Sequence, residues 1–318
     1  MSKLSSWLSK IIQELNEKEK IILLDNFFFL TKTLENIFGM QDPWFLIVDK
    51  QILNDLKYKE NNKINENKRE RYIRLISVVM IFEFLNNYSG KQLKIVLTPC
   101  IFYEFNQRKI PINNESHDAS LDKIYTLIRE FGIQEIYCFD IGEYKISKDI
   151  IKKVIHDEKI ILKVIQRLKR KRMKFDLYQK FSWNTDNNEK MKVQLFELPI
   201  LRAQKILSRQ RMKLRYFDRG IVNHVIACHL EEIIFKDSLY TKELKEKFKG
   251  FRNMYIGRTA SISKISNGVL KGLADIELIQ YCNISSQFNY NCEYTLFALT
   301  FDKKLARVHP AFAISINA

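Results

Sequence analysis

The 318 residues predict an α/β protein: a parallel sheet preceded by helices and interrupted by a large basic helical insertion. Three observations carry this expectation. Short, wholly apolar runs alternate with helix-period segments in the order β-α-β-α-β through the first part of the chain, the pattern of a parallel sheet with crossover helices. The alternation stops after Phe139 and resumes beyond Gly272. The interruption also carries most of the net charge of +16.

The elements follow in order. Leu4, Leu8, Ile11, Ile12 and Leu15 recur at helical spacing, and a second helix is expected over Glu17 to Ile37, with Gly39 and Pro43 as punctuation. Trp44 to Val48 is a continuous apolar run, as in a strand covered on both faces. A short helix leads into the polar stretch Lys57 to Lys63, and Arg69 to Asn87 returns to helix. Leu93 to Thr98 reads as the second strand, and Pro99 suits the first turn of the helix bearing Glu104. A loop rich in Asn, Ser and His precedes a helix over Leu121 to Phe131 and a strand over Glu135 to Phe139.

From Ser147 to Gly257 helices dominate and no clear strand is expected. Lys148 to Lys174 forms one basic helix, Asn184 to Lys190 a linker, and Leu198 to Leu214 and Phe217 to Phe235 two further helices. The sheet pattern returns with a helix after Gly272, a strand over Tyr294 to Thr300, a short helix over Lys303 to Ala306 and a last strand over Ala311 to Ile316. The expected organisation is an N-terminal helical segment (1–40), an α/β domain in two parts (41–145 and 258–318) and a basic helical insertion (146–257).

Composition narrows the function classes. An apolar share of 46% supports a sizeable core. The longest apolar run near the start, Ile21 to Leu30, contains Asp25 and Asn26 and is too short for a membrane span. Lys3 and Lys10 flank no long apolar stretch, so a secretory signal is not expected. The five cysteines (Cys100, Cys138, Cys228, Cys282, Cys292) are scattered, which suits a reduced cytoplasmic protein.

From Lys152 to Arg219 there are 20 Lys/Arg against seven Asp/Glu, a surplus of 13. Charge confined to one stretch points to a polyanionic partner, nucleic acid foremost, although a solvated helical surface gives the same pattern. Within it, Arg167, Lys169, Arg170, Lys171, Arg172 and Lys174, and then Arg209, Arg211, Lys213 and Arg215, are the candidate phosphate contacts. Phe175, Tyr178, Tyr216 and Phe217 are interleaved with them and are candidates for stacking on bases. Phe27, Phe28, Phe29 and Leu30 offer the N-terminal helices a docking face for a protein partner or a second copy.

Four acids stand where a strand or an apolar run ends: Asp49, Glu104, Asp275 and Asp302. Carboxylates gathered at the carboxyl ends of parallel strands face the crevice where open α/β sheets bind ligands, and together they suit a hard divalent cation. Val48-Asp49, Thr98-Pro99 leading to Glu104, Gly272-Leu273-Ala274-Asp275 and Leu299-Thr300-Phe301-Asp302-Lys303-Lys304-Leu305 together resemble the PIN domain of metal-dependent nucleases. The resemblance covers 44–142 and 258–318, with a much longer interval between Glu104 and Asp275 than that family usually has.

The resemblance implies a PIN-like fold in which Asp49, Glu104, Asp275 and Asp302 ligate Mg2+ or Mn2+ and cleave phosphodiesters, with Thr300 orienting an acid. It favours RNA, with DNA as the alternative substrate. Asp49 and Asp302 are expected at adjacent strand ends, and Glu104 and Asp275 in the first turns of helices. Glu277 is a spare candidate, but residues two apart on a helix diverge. A non-catalytic nucleic-acid-binding or scaffold protein and a metal-dependent phosphatase are the competing readings. His224, Cys228 and His229 lack a second ligand pair at zinc spacing, and no Gly-rich phosphate loop or nucleophile elbow occurs.

Overall fold

The computed structural model describes residues 3–38, 44–56, 69–87, 93–109, 113–130, 136–138, 146–170, 204–205, 207–209, 212–223, 225–226, 265–266, 269–270, 272–281, 296–300 and 313–315. They fall in two compact units, one of residues 1–151 with 281–318 and one of residues 152–280. Of the described residues beyond 258, residues 265–266, 269–270 and 272–280 fall in the second of these units.

The first unit begins with α1 (Lys3–Gln13) and α2 (Glu17–Phe38). Between them Asn16 and Glu19 cap reciprocally: Asn16 Oδ1 accepts from the Glu19 amide at 3.0 Å, and Glu19 Oε2 accepts from the Asn16 amide at 2.9 Å. Leu23, Leu30 and Leu34 bury one face of α2. Phe27 packs edge-on against Phe84, with ring centroids 5.4 Å apart.

Five parallel strands make the sheet: β1 (Trp44–Val48), β2 (Leu93–Leu97), β3 (Ile136–Cys138), β6 (Leu296–Thr300) and β7 (Ala313–Ser315), in the order β3-β2-β1-β6-β7. Leu46, Ile47, Val48, Ile95, Val96, Leu97, Phe297, Ala298 and Leu299 are all buried, as strands covered on both faces require. The architecture is therefore α/β around a parallel sheet. β1 lies at the centre: the chain goes from it to β2 and β3 on one side, and β6 and β7 occupy the other.

Helices cover the strands: α3 (Lys50–Leu56), α4 (Arg69–Asn87), α5 (Pro99–Phe105) and α6 (Asn114–Arg129). α6 starts seven residues before the expected Leu121. The polar stretch read as loop holds its start signal: Asn113 Oδ1 accepts from the Ser116 amide at 2.8 Å, and Ser116 Oγ accepts from the Asn113 amide at 3.2 Å. His117 is buried on α6, its Nε2 2.6 Å from the Ile146 carbonyl and its ring edge-on to Phe102 at 5.2 Å.

α7 (Lys148–Arg170) crosses the boundary between the units. The second unit adds the antiparallel pair β4 (Ile265–Ser266) and β5 (Val269–Leu270), and α8 (Leu273–Tyr281), whose last residue is assigned to the first unit. Buried Glu158 accepts from the Leu270 amide at 3.1 Å and ties β5 to α7. Residues 213–218 form a bent loop, so the expected helices over Leu198 to Leu214 and Phe217 to Phe235 are separated by more than the two residues 215–216. Its amides are held by side chains from α7 and α8, which takes them out of any helical ladder.

Candidate functional site

At the carboxyl edge of the sheet the apolar rows give way to a polar one. The strand registers pair Ile47 with Val96, Val48 with Leu299 and Thr300 with Ser315. Carried to the strand ends, two residues on from Ile47–Val96 and one on from Val48–Leu299, these registers bring Thr98, Asp49, Thr300 and Ser315 into a single row across β2, β1, β6 and β7. β1 and β6 are the strands at which the order turns back, the place where open α/β sheets bind ligands.

The Asp49–Thr300 pair straddles that switch point. Asp49 is 6% exposed and Thr300 fully buried, and Thr300 Oγ1 donates to Asp49 Oδ2 at 2.6 Å. The Asp49 amide donates to the Leu299 carbonyl at 2.9 Å, so backbone and side chain both tie the end of β1 to β6. Asp49 Oδ1 takes the Gln51 amide at 3.2 Å, as a cap at the start of α3. The carboxylate is thus held from two sides at the carboxyl edge of the sheet. Thr98 Oγ1, its neighbour in the row, is buried and has no hydrogen-bond partner among the described residues.

Glu104 lies near the end of α5, not in its first turn, because the helix begins at Pro99 and ends at Phe105. Its side chain is 6% exposed and engages two cations: Lys50 Nζ at 2.9 Å from Oε2 and an Arg108 guanidinium nitrogen at 2.9 Å from Oε1. Arg108 reaches back through a turn in which Gln107 (φ 55°) and Arg108 (φ 62°) both adopt the left-handed conformation. That conformation costs on the order of 1 kcal/mol for a residue with a Cβ. The Arg108 amide closes the turn on the Tyr103 carbonyl at 2.9 Å.

As metal donors these carboxylates are unequal. Asp49 is oriented and at the crevice, which fits a ligand. Each oxygen of Glu104 is already engaged by a cation, which does not fit a ligand in this arrangement. Among the described residues, no group of three or more His, Cys, Asp or Glu side chains could hold a metal ion. Asp302 lies outside the described residues. Asp275 sits in the first turn of α8, in the second unit. Glu277 is fully buried and receives the Tyr216 hydroxyl as a hydrogen bond, which gives it a structural task.

The basic candidates belong to the second unit. Arg167 lies on α7, as do the backbones of Lys169 and Arg170, while Lys171, Arg172, Lys174 and Arg211 fall outside the described residues. Arg209, Lys213 and Arg215 are exposed. Of the aromatics offered for stacking, Phe217 is 4% exposed and packs edge-on to Tyr216 at 5.0 Å, so it serves the core. Phe175 and Tyr178 lie outside the described residues, as do His224, Cys228 and His229.

On the N-terminal docking face, Phe28 (65%) and Phe29 (53%) are exposed, together with Ile21 and Leu24, whereas Leu30 is buried. Among the described residues, no helix is long and apolar enough to cross a membrane.

Sequence reasoning passed over Lys50, Arg108 and Asp157. Arg108 stands four residues after Glu104, a spacing that signals an ion pair on a helix. The others gave no local signal, because their partners are distant in the chain. Comparison with protein-family models, with curated proteins and with solved structures found no match for the chain.

Proposed function

We propose that this chain is a divalent-metal-dependent nuclease with a PIN-like fold, cleaving phosphodiester bonds, in RNA before DNA. The observation that carries the reading is the buried Thr300 hydroxyl donating to Asp49 at the β1–β6 switch point. A buried hydroxyl spent on fixing one carboxylate rotamer at the ligand-binding edge of a parallel sheet is the arrangement a metal ligand needs. The surplus of 13 positive charges between Lys152 and Arg219 supports a polyanionic substrate.

In this reading Asp49 and Asp302 hold Mg2+ or Mn2+. The bound cation would supply a water of lowered pKa and neutralise charge developing on the phosphate. Thr300 fixes the Asp49 carboxylate, and the buried rows beneath exclude water from its base. Lys50 and Arg108 hold Glu104 in place and add positive charge beside the crevice for a phosphate. The scattered cysteines and the buried free thiol of Cys100 support a reducing, cytoplasmic setting.

The engagement of both Glu104 oxygens by cations favours a second reading: a protein of the same fold that binds nucleic acid without cutting it. End-labelled single-stranded RNA and DNA, incubated with the purified chain and Mg2+ or Mn2+, separate the two. The leading reading expects cleavage that EDTA abolishes. Binding without cleavage, in either metal, would support the second, and turnover of p-nitrophenyl phosphate alone would point to a phosphatase.

A further inference from the structure

Asp157 on α7 is wholly buried, and its carboxylate is surrounded by donors from one short loop. Oδ1 and Oδ2 accept from the Arg215 amide at 2.9 and 3.0 Å, and Oδ2 also accepts from the amides of Tyr216 at 2.7 Å and Phe217 at 3.0 Å. His156 Nδ1 lies 3.0 Å from Oδ1. Successive amides converging on one point form an anion-binding nest. Here the chain fills the nest with its own acid, which fixes three consecutive residues of the loop to α7.

Further ties set the rest of the loop. The Tyr216 hydroxyl donates to Glu277, and Gln280 Oε1 accepts from the Asp218 amide at 3.0 Å. Asp218 Oδ1 accepts from the amides of Gly220 at 2.7 Å and Ile221 at 3.2 Å, capping the helical turn that follows. Met212 and Phe217 are buried beneath. Asp157, Glu277 and Asp218 thus direct their charge to internal donors. Lys213, Arg215 and Arg219 are exposed, and none has an ion-pair partner among the described residues.

We propose that Lys213, Arg215 and Arg219 form a preorganised loop that reads the sugar-phosphate backbone of a nucleic acid without regard to base, with Asp157 as its positioning residue. The inference rests on the nucleic-acid reading above and sharpens it. Cations held on a fixed backbone lose little freedom when they meet phosphates. Base-independence follows from the aromatics: Phe217 is buried and the half-buried Tyr216 ring packs against it at 5.0 Å, so the loop presents charge rather than open stacking faces.

The test is fluorescence anisotropy on the full-length Asp49→Asn chain, in which binding is read apart from cleavage, with labelled 20-mers of oligo(A), oligo(U) and oligo(C) over a KCl series. The triple change Lys213→Ala/Arg215→Ala/Arg219→Ala should weaken binding to all three oligomers alike, by tenfold or more. It should flatten the slope of log K against log[salt] by about 2, at about 0.7 for each phosphate that is no longer neutralised. Asp157→Asn, with its fold verified by circular dichroism, should flatten the slope in the same direction although no exposed charge has been removed.

Unchanged affinity and slope in the triple variant, while the parent binds, would overturn the inference and leave the nuclease reading standing. A tenfold preference among the oligomers that depends on these three residues would also overturn it. A parent that binds no oligomer at 50 mM KCl, or that binds only vesicles of phosphatidylserine and phosphatidylcholine, overturns both. Because the three cations are exposed, the triple variant keeps the test open even if Asp157→Asn fails to fold.

Discussion

The behaviour expected of the crevice depends on how one carboxylate is held. Asp49 receives a hydroxyl from Thr300, an amide from Gln51 and a backbone tie to β6, so its orientation is set before any ligand arrives. Removing the hydroxyl by Thr300→Val keeps volume and β-branching but frees the carboxylate. Metal-dependent activity should fall by about 10- to 100-fold, the usual cost of losing an orienting partner. Titration of Mn2+ against activity checks this, and an unchanged dependence on metal would separate Thr300 from the chemistry.

Glu104 is expected to behave differently, since its oxygens face Lys50 and Arg108. Glu104→Gln leaves two cations without their anion and should cost on the order of 2 kcal/mol in chemical denaturation. That is below the ~3–5 kcal/mol of a fully buried pair, because Lys50 is 33% and Arg108 20% exposed. Asp49 was legible from the strand it ends. The role of Glu104 was not, because Lys50 stands 54 residues earlier in the chain and Arg108 reaches it from a turn whose left-handed residues, Gln107 and Arg108, are neither Gly nor Asn.

Among the elements, those with strong periodicity or unbroken apolar runs were legible: α2, β1, α4, β2 and β6 lie within a few residues of their expected bounds. Boundaries set by side-chain capping were not. The Asn113–Ser116 box escaped notice because its second member is Ser, where the familiar pattern has Glu or Gln. Asn113→Ala should lower stability by about 1 kcal/mol, and a change within error would mean that the box does little for α6.

The break between the two expected helices is wider than the residues 215–216 left between them, because the amides of Arg215, Tyr216 and Phe217 are captured by Asp157, 58 or more residues earlier in the chain, and local propensity carries no trace of that. A pH dependence is expected where α2 meets α4. Glu19 pairs with Arg69 through both guanidinium Nε and a terminal nitrogen, and the Arg69 hydrogen bonds hold the Glu19 carboxyl below its ordinary value. A lowered folded value means the contribution is present above the unfolded value of about 4.3 and is lost as pH falls through the folded one. The Tm gap between wild type and Glu19→Gln should therefore be widest near neutrality and narrow as the pH falls below the unfolded value of about 4.3. A gap that persists unchanged into stronger acid would contradict the assignment.

Across the molecule, charge is sorted by position. The sequence showed a basic stretch and a set of strand-end acids, and it showed parallel α/β order. It could not show the strand order that puts β1 beside β6, because that pairing joins residues about 250 apart and nothing local encodes it. That pairing is what turns Asp49 and Thr300 from separate strand ends into one site. The division at 151/152 lies six residues from the expected 145/146, whereas that at 280/281 was hidden, since α8 reads as an ordinary crossover helix.

The proposed role of Asp49 as the metal-binding carboxylate of a nuclease is tested most directly by the single-turnover cleavage rate of labelled RNA in Mn2+ by wild type and by Asp49→Asn. The predicted result is a loss of about 10^3-fold or more, on the scale of removing one strong electrostatic interaction with the transition state, with RNA affinity in chelator unchanged. Cleavage by Asp49→Asn at the wild-type rate, or cleavage by wild type that survives EDTA, would contradict it.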